Sequence, residues 1–209
     1  MSKIKVIGIG NLGFSVIDKM INLKLKEFDY IEISTWGAHI NNLKYKKECS
    51  DSKNEINLST FLLGEKIGNG VLGNGVELNL AGAALEESSK ELNMFLKKNL
   101  ENTDTAFIIT ALGDATGPEV TPNIVKRIKE MGITTIGIFR NTFTFEGKRF
   151  LNVFEKAITK LKEGENIDKI VLLNSDDFYI KNKSIVKAYN NVEEKIVSII
   201  KNNWFRYFL

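Results

Sequence analysis

The sequence predicts a three-layer α/β/α protein of the Rossmann-like type, in which a parallel sheet lies between two layers of helices. Three observations support this fold class. Short apolar runs of strand length alternate along the chain with stretches in which apolar residues recur at helical spacing. Several of these runs end in glycine-bearing turns, and 209 residues are enough for one well-buried core. We therefore expect residues 1–209 to form a single domain that binds its ligand at the carboxyl ends of the strands.

The first predicted strand covers Lys3 to Ile9 and leads directly into a glycine-bearing turn and a helix. The turn extends to Gly13, and its backbone N–H groups at a helix N-terminus form a candidate phosphate site. Its glycine spacing also matches the G-x-G-x-x-G dinucleotide fingerprint, which requires an acidic residue at the tip of the next strand. That strand, Tyr30 to Ser34, carries Glu32 inside it and no acid at its tip. A dinucleotide-binding enzyme therefore stays as the less favoured alternative.

Two stretches in the first half of the chain are polar or rich in glycine. Residues 39–58 carry several lysines among other polar side chains, which predicts a surface insertion in the form of a solvated loop. The apolar run at Phe61–Leu63 predicts a strand, and a glycine-rich segment follows from Gly64 to Gly75. This segment has two interpretations, a mobile connection or a loop that closes over phosphate. One continuous helix is predicted from about Leu78 to Leu100.

The predicted fold is organised around the stretch from Phe107 to Pro122. An isoleucine-rich run ends in small residues and reaches a helix start, with Thr116 as the expected cap and Pro118 in the first turn. A strand, a tight loop and a helix N-terminus in this order predict an anion site, with phosphate as the favoured ligand. The alternation then continues with a helix around 124–128, strands at 133–139 and 169–173, and helices around 153–161 and 185–200.

Composition and charge exclude several classes of function. The 29 Lys and Arg residues are nearly balanced by 26 Asp and Glu residues without a basic block, so nucleic acid is not an expected partner. The single cysteine, Cys49, excludes an internal disulfide and fits a reducing compartment. His39 has no metal-ligand partner at a useful spacing, so we expect no metal site built from protein side chains. Because no signal peptide or bilayer-length apolar run is visible, we expect a cytoplasmic protein.

Three separated segments carry motifs that occur together in one protein family. The opening stretch from Ile4 to Gly10 is a strand that enters a glycine-rich loop. Gly113, Thr116 and Gly117 match positions of a GGGTGTG signature, and Phe143 to Arg149 reads FTFEGKR, close to the pattern F-x-F-E-G-[KR]-[KR]. In this order, and over nearly the whole chain, the motifs resemble the N-terminal GTP-binding domain of the FtsZ/tubulin family.

The resemblance implies that the chain binds GTP or GDP together with Mg²⁺. By this similarity Glu146 would bond the ribose and Tyr189 would stack on guanine. Glu193 would read the base edge, because a carboxylate accepts hydrogen bonds from the guanine N1–H and exocyclic amine, a donor pair that adenine lacks. The nucleotide-binding residues that the resemblance implies are Gly10, Asn11, Leu12, Gly13, Gly73, Asn74, Gly75, Gly113, Asp114, Ala115, Thr116, Gly117, Glu146, Tyr189 and Glu193. No catalytic residue is assigned.

The chain departs from the family pattern in its phosphate loops. Asn11, Leu12 and Phe14 stand where the family has glycines, which narrows the approach of phosphate to the backbone. Asp114 and Glu119 add carboxylates to the second signature, and like charge beside a triphosphate is unfavourable unless a cation bridges the two or the carboxylates turn to solvent. Phe150 occupies the place of an arginine that contacts nucleotide. The alternative to a guanine-nucleotide-binding protein is therefore a degenerate FtsZ-like module that binds no nucleotide and acts as a protein partner or regulator.

The end of the sequence is a second departure. In the family the long helix leads to a loop that activates water on a neighbouring subunit's nucleotide and then to a second domain, whereas this sequence ends in the aromatic segment 201–209. The resemblance therefore implies weak or partner-dependent GTP hydrolysis, with self-association or an FtsZ-type filament partner, and a link to cytoskeletal filaments or cell division. We expect the aromatic tail to fold back over the helix, and contact between the tail and a membrane is not favoured.

Overall fold

The computed structural model describes residues 3–49, 56–68, 78–181 and 183–208. The strands are β1 Ile4–Ile9, β2 Asp29–Ser34, β3 Leu58–Leu62, β4 Thr105–Ala111, β5 Thr134–Arg140 and β6 Lys169–Leu173. The helices are α1 Gly10–Asn22, α2 Gly37–Cys49, α3 Glu65–Gly68, α4 Leu78–Glu87, α5 Ser89–Asn99, α6 Thr116–Glu130, α7 Lys148–Glu163 and α8 Ile185–Phe208. Short 3₁₀ turns follow β5 at Thr144–Glu146 and β6 at Ser175–Phe178.

The six strands form one parallel sheet in the order β3-β2-β1-β4-β5-β6. β1 and β4 lie at the centre, and every residue of both strands is buried, as expected for strands that are covered on two faces. In the register of the sheet, Gly8 of β1 lies between Glu32 of β2 and Ile109 of β4. The chain therefore changes direction across the sheet between β1 and β4, and this is the switch point where α/β sheets bind ligands.

Two hydrophobic clusters cover the two faces of the sheet. One joins the sheet to α1, α8 and part of α2, with Val16, Leu43 and Val192 among its fully buried members. The other joins the sheet to α4, α5, α6 and α7, with Leu92 and Ile124 among its fully buried members. Helices on both faces of a parallel sheet confirm the predicted three-layer α/β/α fold.

The polar segment 39–58 differs from the predicted solvated loop. Its first part belongs to α2, whose residues His39, Ile40 and Leu43 are buried. Ile40 and Leu43 are three positions apart and lie on the same side of a helix, while the His39 ring stacks on Phe14 with centroids 4.2 Å apart. Sparse apolar residues at helical spacing were therefore sufficient for a helix, and the prediction of a loop is wrong for this part.

The helix predicted from Leu78 to Leu100 is divided at Ser88 into α4 and α5. At the break, the Ser88 hydroxyl accepts a hydrogen bond from the Gly64 N–H at 3.0 Å. The preceding Glu87 carboxylate accepts the N–H groups of Lys66 and Ile67 at 3.1 and 2.9 Å. The break thus holds α3, which lies inside the segment predicted as a glycine-rich loop.

The C-terminal segment also differs from the prediction. α8 continues to Phe208, so the backbone of residues 201–208 extends the helix instead of folding back over it. In the part of the chain that the structure describes, no helix combines the length and the apolar character that crossing a bilayer requires.

Candidate functional site at the carboxyl edge of the sheet

Two glycine-bearing turns meet at the centre of the carboxyl edge, one between β1 and α1 and the other between β4 and α6. Gly10 has a positive φ of 69°, and a Cβ atom placed on it would lie 3.4 Å from the Thr116 Cβ at the start of α6. The N-termini of α1 and α6 are therefore neighbours. Because the first N–H groups of each helix have no partner within the helix, the two ends together favour an anion above them.

Close contacts with backbone or with a neighbouring side chain explain the other glycines of these turns. A Cβ on Gly13 would lie 2.4 Å from the Gly8 carbonyl carbon, so α1 crosses β1 at a distance that only glycine permits. A Cβ on Gly113 would lie 2.0 Å from the Thr142 Oγ1, and one on Gly117 would lie 2.0 Å from the Ala111 carbonyl oxygen. These glycines are required by packing, whether or not a ligand binds above them.

The cap of α6 is not the one that the sequence predicts. The Thr116 hydroxyl is paired with the Thr35 hydroxyl at 3.0 Å and makes no capping contact. Instead the Asp114 Oδ1 accepts the Gly117 N–H at 3.1 Å, so a carboxylate of the chain already occupies one of the helix N–H groups. Burial raises the pKa of Asp114 to about 6, with Glu146 adding to the rise and the Gly117 N–H and Arg140 opposing it.

Glu146 and Tyr189 come together at the adjoining end of the site. The Glu146 carboxylate accepts the Phe143 N–H at 2.7 Å and the Tyr189 hydroxyl at 2.9 Å, so it connects the turn after β5 with α8. The Phe143 ring packs edge-on against Tyr189 with centroids 5.0 Å apart. Burial, and then the Glu146 charge, raises the pKa of Tyr189. The carboxylate and the aromatic ring thus share one small region, as the resemblance implies for ribose and base contacts.

Arg140 also belongs to this region, although no sequence motif indicates it. Its Nη1 lies 3.7 Å from the Glu146 Oε2, and its guanidinium carbon lies 5.1 Å from the Tyr189 ring centroid and 5.7 Å from that of Phe143. Its Nε is buried and, among the described residues, has no hydrogen-bond partner. Its position as the last residue of β5 was the available signal, since side chains at strand ends reach the carboxyl edge.

Glu193 lies one turn of α8 beyond Tyr189 and is held in an ion pair that the sequence did not predict. Its Oε2 is 3.2 Å from the Nζ of Lys19 on α1. The same ammonium donates to the Asn190 carbonyl oxygen at 3.3 Å. The Glu193 carboxylate is therefore paired with the Lys19 ammonium, and this ammonium also contacts Asn190, the residue that follows Tyr189.

The other predicted site residues divide into three groups. Leu12 is only 6% exposed and packs in the hydrophobic core, whereas Asn11 lies at the surface of the first turn of α1. Ala115 is half-buried and is the N-cap residue of α6. Gly73, Asn74 and Gly75 lie outside the described residues.

The side chains at this edge set limits on a metal ion. No group of three or more His, Cys, Asp or Glu side chains suitable for a metal is found within residues 3–49, 56–68, 78–181 and 183–208. The oxygen groups at the two turns include the Asp114 carboxylate and the Thr116 hydroxyl, which is paired with the Thr35 hydroxyl. Such a set fits Mg²⁺ only if phosphate oxygens and water supply the other ligands, which is a common mode of Mg²⁺ binding.

Glu32 bears on the dinucleotide alternative. It is completely buried in β2, two residues before the strand ends at Ser34. A Cβ on Gly8 would lie 2.5 Å from its Oε2, so the carboxyl group lies against the β1–α1 turn inside the protein. A residue in this position cannot hold ribose hydroxyls at the edge of the sheet, which is the part played by the acidic residue of the dinucleotide fingerprint.

Comparison with known protein families supports the fold described above. The model described as "Tubulin/FtsZ family, GTPase domain" matches residues 3–183. The cell division protein FtsZ of Aquifex aeolicus (strain VF5) is 32% identical over 207 residues, which cover 95% of this chain and 52% of that protein. This chain therefore spans about half the length of the curated relative that it matches.

Solved structures agree with the observed fold. An FtsZ dimer from M. jannaschii superposes with a TM-score of 0.78 at 21% identity, over 96% of this chain and 54% of that chain. A CetZ2 protofilament from Haloferax volcanii, solved with GTPγS bound, superposes with a TM-score of 0.75 at 18% identity, over 95% of this chain and 57% of that chain. At these identities the likeness shows the shared fold.

Proposed function

Because the chain belongs to the tubulin/FtsZ family, matched through its GTPase domain, we propose that the carboxyl edge of its sheet binds a guanine nucleotide. In this proposal the N-termini of α1 and α6 hold the phosphates, through the turns Gly10–Gly13 and Gly113–Gly117. Glu146 accepts the ribose hydroxyls, Tyr189 stacks on the base, and the base edge points toward Glu193.

The observation that carries the proposal is the convergence of three different kinds of contact at one edge. The turns at Gly10 and Thr116 bring two helix N-termini together, and these favour phosphate. Beside them, the Tyr189 hydroxyl oxygen lies 2.9 Å from the Glu146 Oε1. These two residues offer a carboxylate to a sugar and an aromatic face to a base. A nucleotide is the common ligand that presents phosphate, sugar and base in this sequence.

Hydrolysis, if the protein performs it, is proposed to be weak or to depend on a partner. The residues of this chain would bind and orient the nucleotide, while Mg²⁺ would offset the repulsion between Asp114 and the phosphates and neutralise the charge that develops during phosphoryl transfer. We assign no water-activating residue to this chain, and we propose that another FtsZ-type filament protein supplies it. Such an arrangement would link the protein to cytoskeletal filaments or cell division.

A second function has one observation in its favour. Asp114 accepts the Gly117 N–H, and so an internal carboxylate takes a hydrogen bond that a phosphate would otherwise accept. The alternative is a degenerate module that binds no nucleotide and acts as a partner or regulator of an FtsZ-type filament.

Equilibrium binding of GTP, GDP, ATP and NAD to the purified protein, with and without Mg²⁺, distinguishes these functions. Saturable binding of GTP or GDP in preference to ATP supports the proposed function, and preference for NAD supports the dinucleotide alternative. Glu146→Ala should weaken GDP binding by about tenfold or more, because the ribose loses its acceptor. Glu155→Ala, at an exposed carboxylate on α7, is the matched control and should leave binding unchanged. No binding of any nucleotide would overturn the proposal and favour the degenerate module.

A further inference from the structure

Lys19 and Glu193 form a partly enclosed ion pair between α1 and α8. The Nζ and Oε2 atoms are 3.2 Å apart, and the two side chains are 22% and 14% exposed. Lys19 also donates to the Asn190 carbonyl oxygen at 3.3 Å, which places its ammonium next to the residue that follows Tyr189. The pair is therefore within one helical turn of the aromatic ring on which the base is proposed to stack.

We propose that Lys19 is a specificity-determining residue that donates to the guanine O6, while Glu193 accepts from N1–H and the 2-amino group. This inference rests on the proposed function, because it concerns the same nucleotide. The pair presents one donor, Nζ, beside two acceptors, Oε2 and Oε1. This is the donor–acceptor–acceptor pattern with which cytosine pairs to guanine, and guanine presents the complementary acceptor, donor and donor.

The pair rejects adenine at two positions. Adenine carries an amino donor where guanine has O6, so it would oppose the Lys19 ammonium, which is donor-only. Its N1 is an unprotonated acceptor and would oppose the Glu193 carboxylate, which is acceptor-only. A lone carboxylate supplies only the second of these two penalties, and so Lys19 widens the discrimination between the two purines.

The third contact of Lys19 explains how its ammonium reaches the base without losing Glu193. The Glu194 Oε1 is 3.7 Å from Nζ, and the Glu194 side chain is 69% exposed. A contact at this distance and exposure is weak and screened by solvent. An ammonium has three N–H donors, so it keeps Glu193 and the Asn190 carbonyl and turns the third donor from Glu194 to O6.

The test pairs each side chain with a base analogue that alters one group. We would measure the Kd of GDP, 6-thio-GDP, IDP and ADP by calorimetry for the wild type and for Lys19→Met, Glu193→Gln and Glu194→Gln. Sulfur in 6-thio-GDP is a weaker acceptor than O6, and IDP lacks the 2-amino group. The wild type is expected to bind GDP at least about tenfold more tightly than ADP, with smaller penalties for 6-thio-GDP and IDP.

The expected result is that each penalty changes with its partner. Lys19→Met should abolish the 6-thio penalty and keep the IDP penalty, whereas Glu193→Gln should reduce the IDP penalty, because the amide keeps one acceptor oxygen and replaces the other with a donor. Glu194→Gln is the matched control and should behave as the wild type. If Lys19 only holds Glu193 in place, the 6-thio penalty persists in Lys19→Met, and this result overturns the inference while guanine binding stands. A wild type that binds no GDP overturns the proposed function itself.

Discussion

Replacement of Glu32 by methionine should stabilise the protein, and the gain should increase with pH. Glu32 is fully buried in β2, and neither carboxyl oxygen has a hydrogen-bond partner among the described residues. Burial raises the pKa of this carboxyl well above its usual range. The group is therefore held as a neutral acid in the folded state, at a cost that a side chain of similar length without polar atoms does not carry.

The magnitude follows from two separate effects. Leaving a buried polar group without a partner costs about 1–3 kcal/mol, and Glu32→Met removes this cost. The second effect is proton release: the folded state binds the carboxyl proton more tightly than the unfolded state, so unfolding releases it and rising pH favours unfolding. Above the unfolded value of about 4.3, stability is lost by about 1.4 kcal/mol per pH unit until the folded carboxyl also ionises.

The assay is urea-induced unfolding at pH 5, 6, 7 and 8, analysed as the difference between Glu32→Met and the wild type. The difference cancels the other titrating groups, and it should be positive at pH 5 and increase with pH, levelling off where the folded carboxyl ionises. Glu86→Met, at an exposed position of α4, is the control and should show no such growth. A difference that stays constant with pH, or a less stable Glu32→Met variant, would refute the reasoning.

Three further predictions concern the turns and the aromatic contact. The pKa of Asp114 is about 6, so its carboxylate forms between pH 5 and pH 8, and GDP affinity without Mg²⁺ should fall by about tenfold over this range. In calorimetry Asp114→Asn should flatten this pH dependence, and an equal slope in both proteins would contradict the prediction. Gly117→Ala should lower the free energy of unfolding in urea by about 3 kcal/mol, because the new Cβ would lie 2.0 Å from a backbone oxygen. At Gly132, which has a φ of 75° and open space around it, the change to Ala should cost only about 1 kcal/mol, and equal losses at the two sites would count against the packing argument. Tyr189→Phe should keep GDP affinity within about threefold of the wild type and Tyr189→Ala should lower it about tenfold, because stacking needs the ring and not the hydroxyl that bonds Glu146. Equal GDP affinities of the Phe and Ala variants would exclude stacking.

The elements that the sequence predicted well are those with a strong local pattern. The apolar run that became β1 was placed within one residue of its observed ends, because a buried parallel strand is a nearly continuous apolar segment. The partly exposed edge strand β6 was also placed at its observed ends, Lys169 and Leu173. The turns at Gly8–Gly13 and Gly113–Gly117 were also evident, since glycine marks close approaches of backbone. The convergence of Glu146 and Tyr189, which are 43 positions apart, came from family resemblance and not from any local pattern.

The features that the sequence did not predict depend on contacts between distant parts of the chain. Nothing in the local sequence indicates that Asp114 instead of Thr116 caps α6, since both are good capping residues. Lys19 looks like an ordinary surface lysine until α8 is packed beside α1. The break at Ser88 depends on Gly64, a partner 24 positions away, and a helical pattern alone continues through it.

The strand order has a consequence for how the protein assembles. β1, β2 and β3 come from residues 4–62 and form one side of the sheet, while β4, β5 and β6 come from residues 105–173 and form the other. The β1–β4 ladder, from Ile4 with Thr105 to Gly8 with Ile109, joins the two sides. Each side contributes one of the two turns at the site, so neither half presents a complete site before docking. A ligand held by both turns would connect the two halves, and it would stabilise their docked state by an amount that rises with the ratio of ligand concentration to Kd.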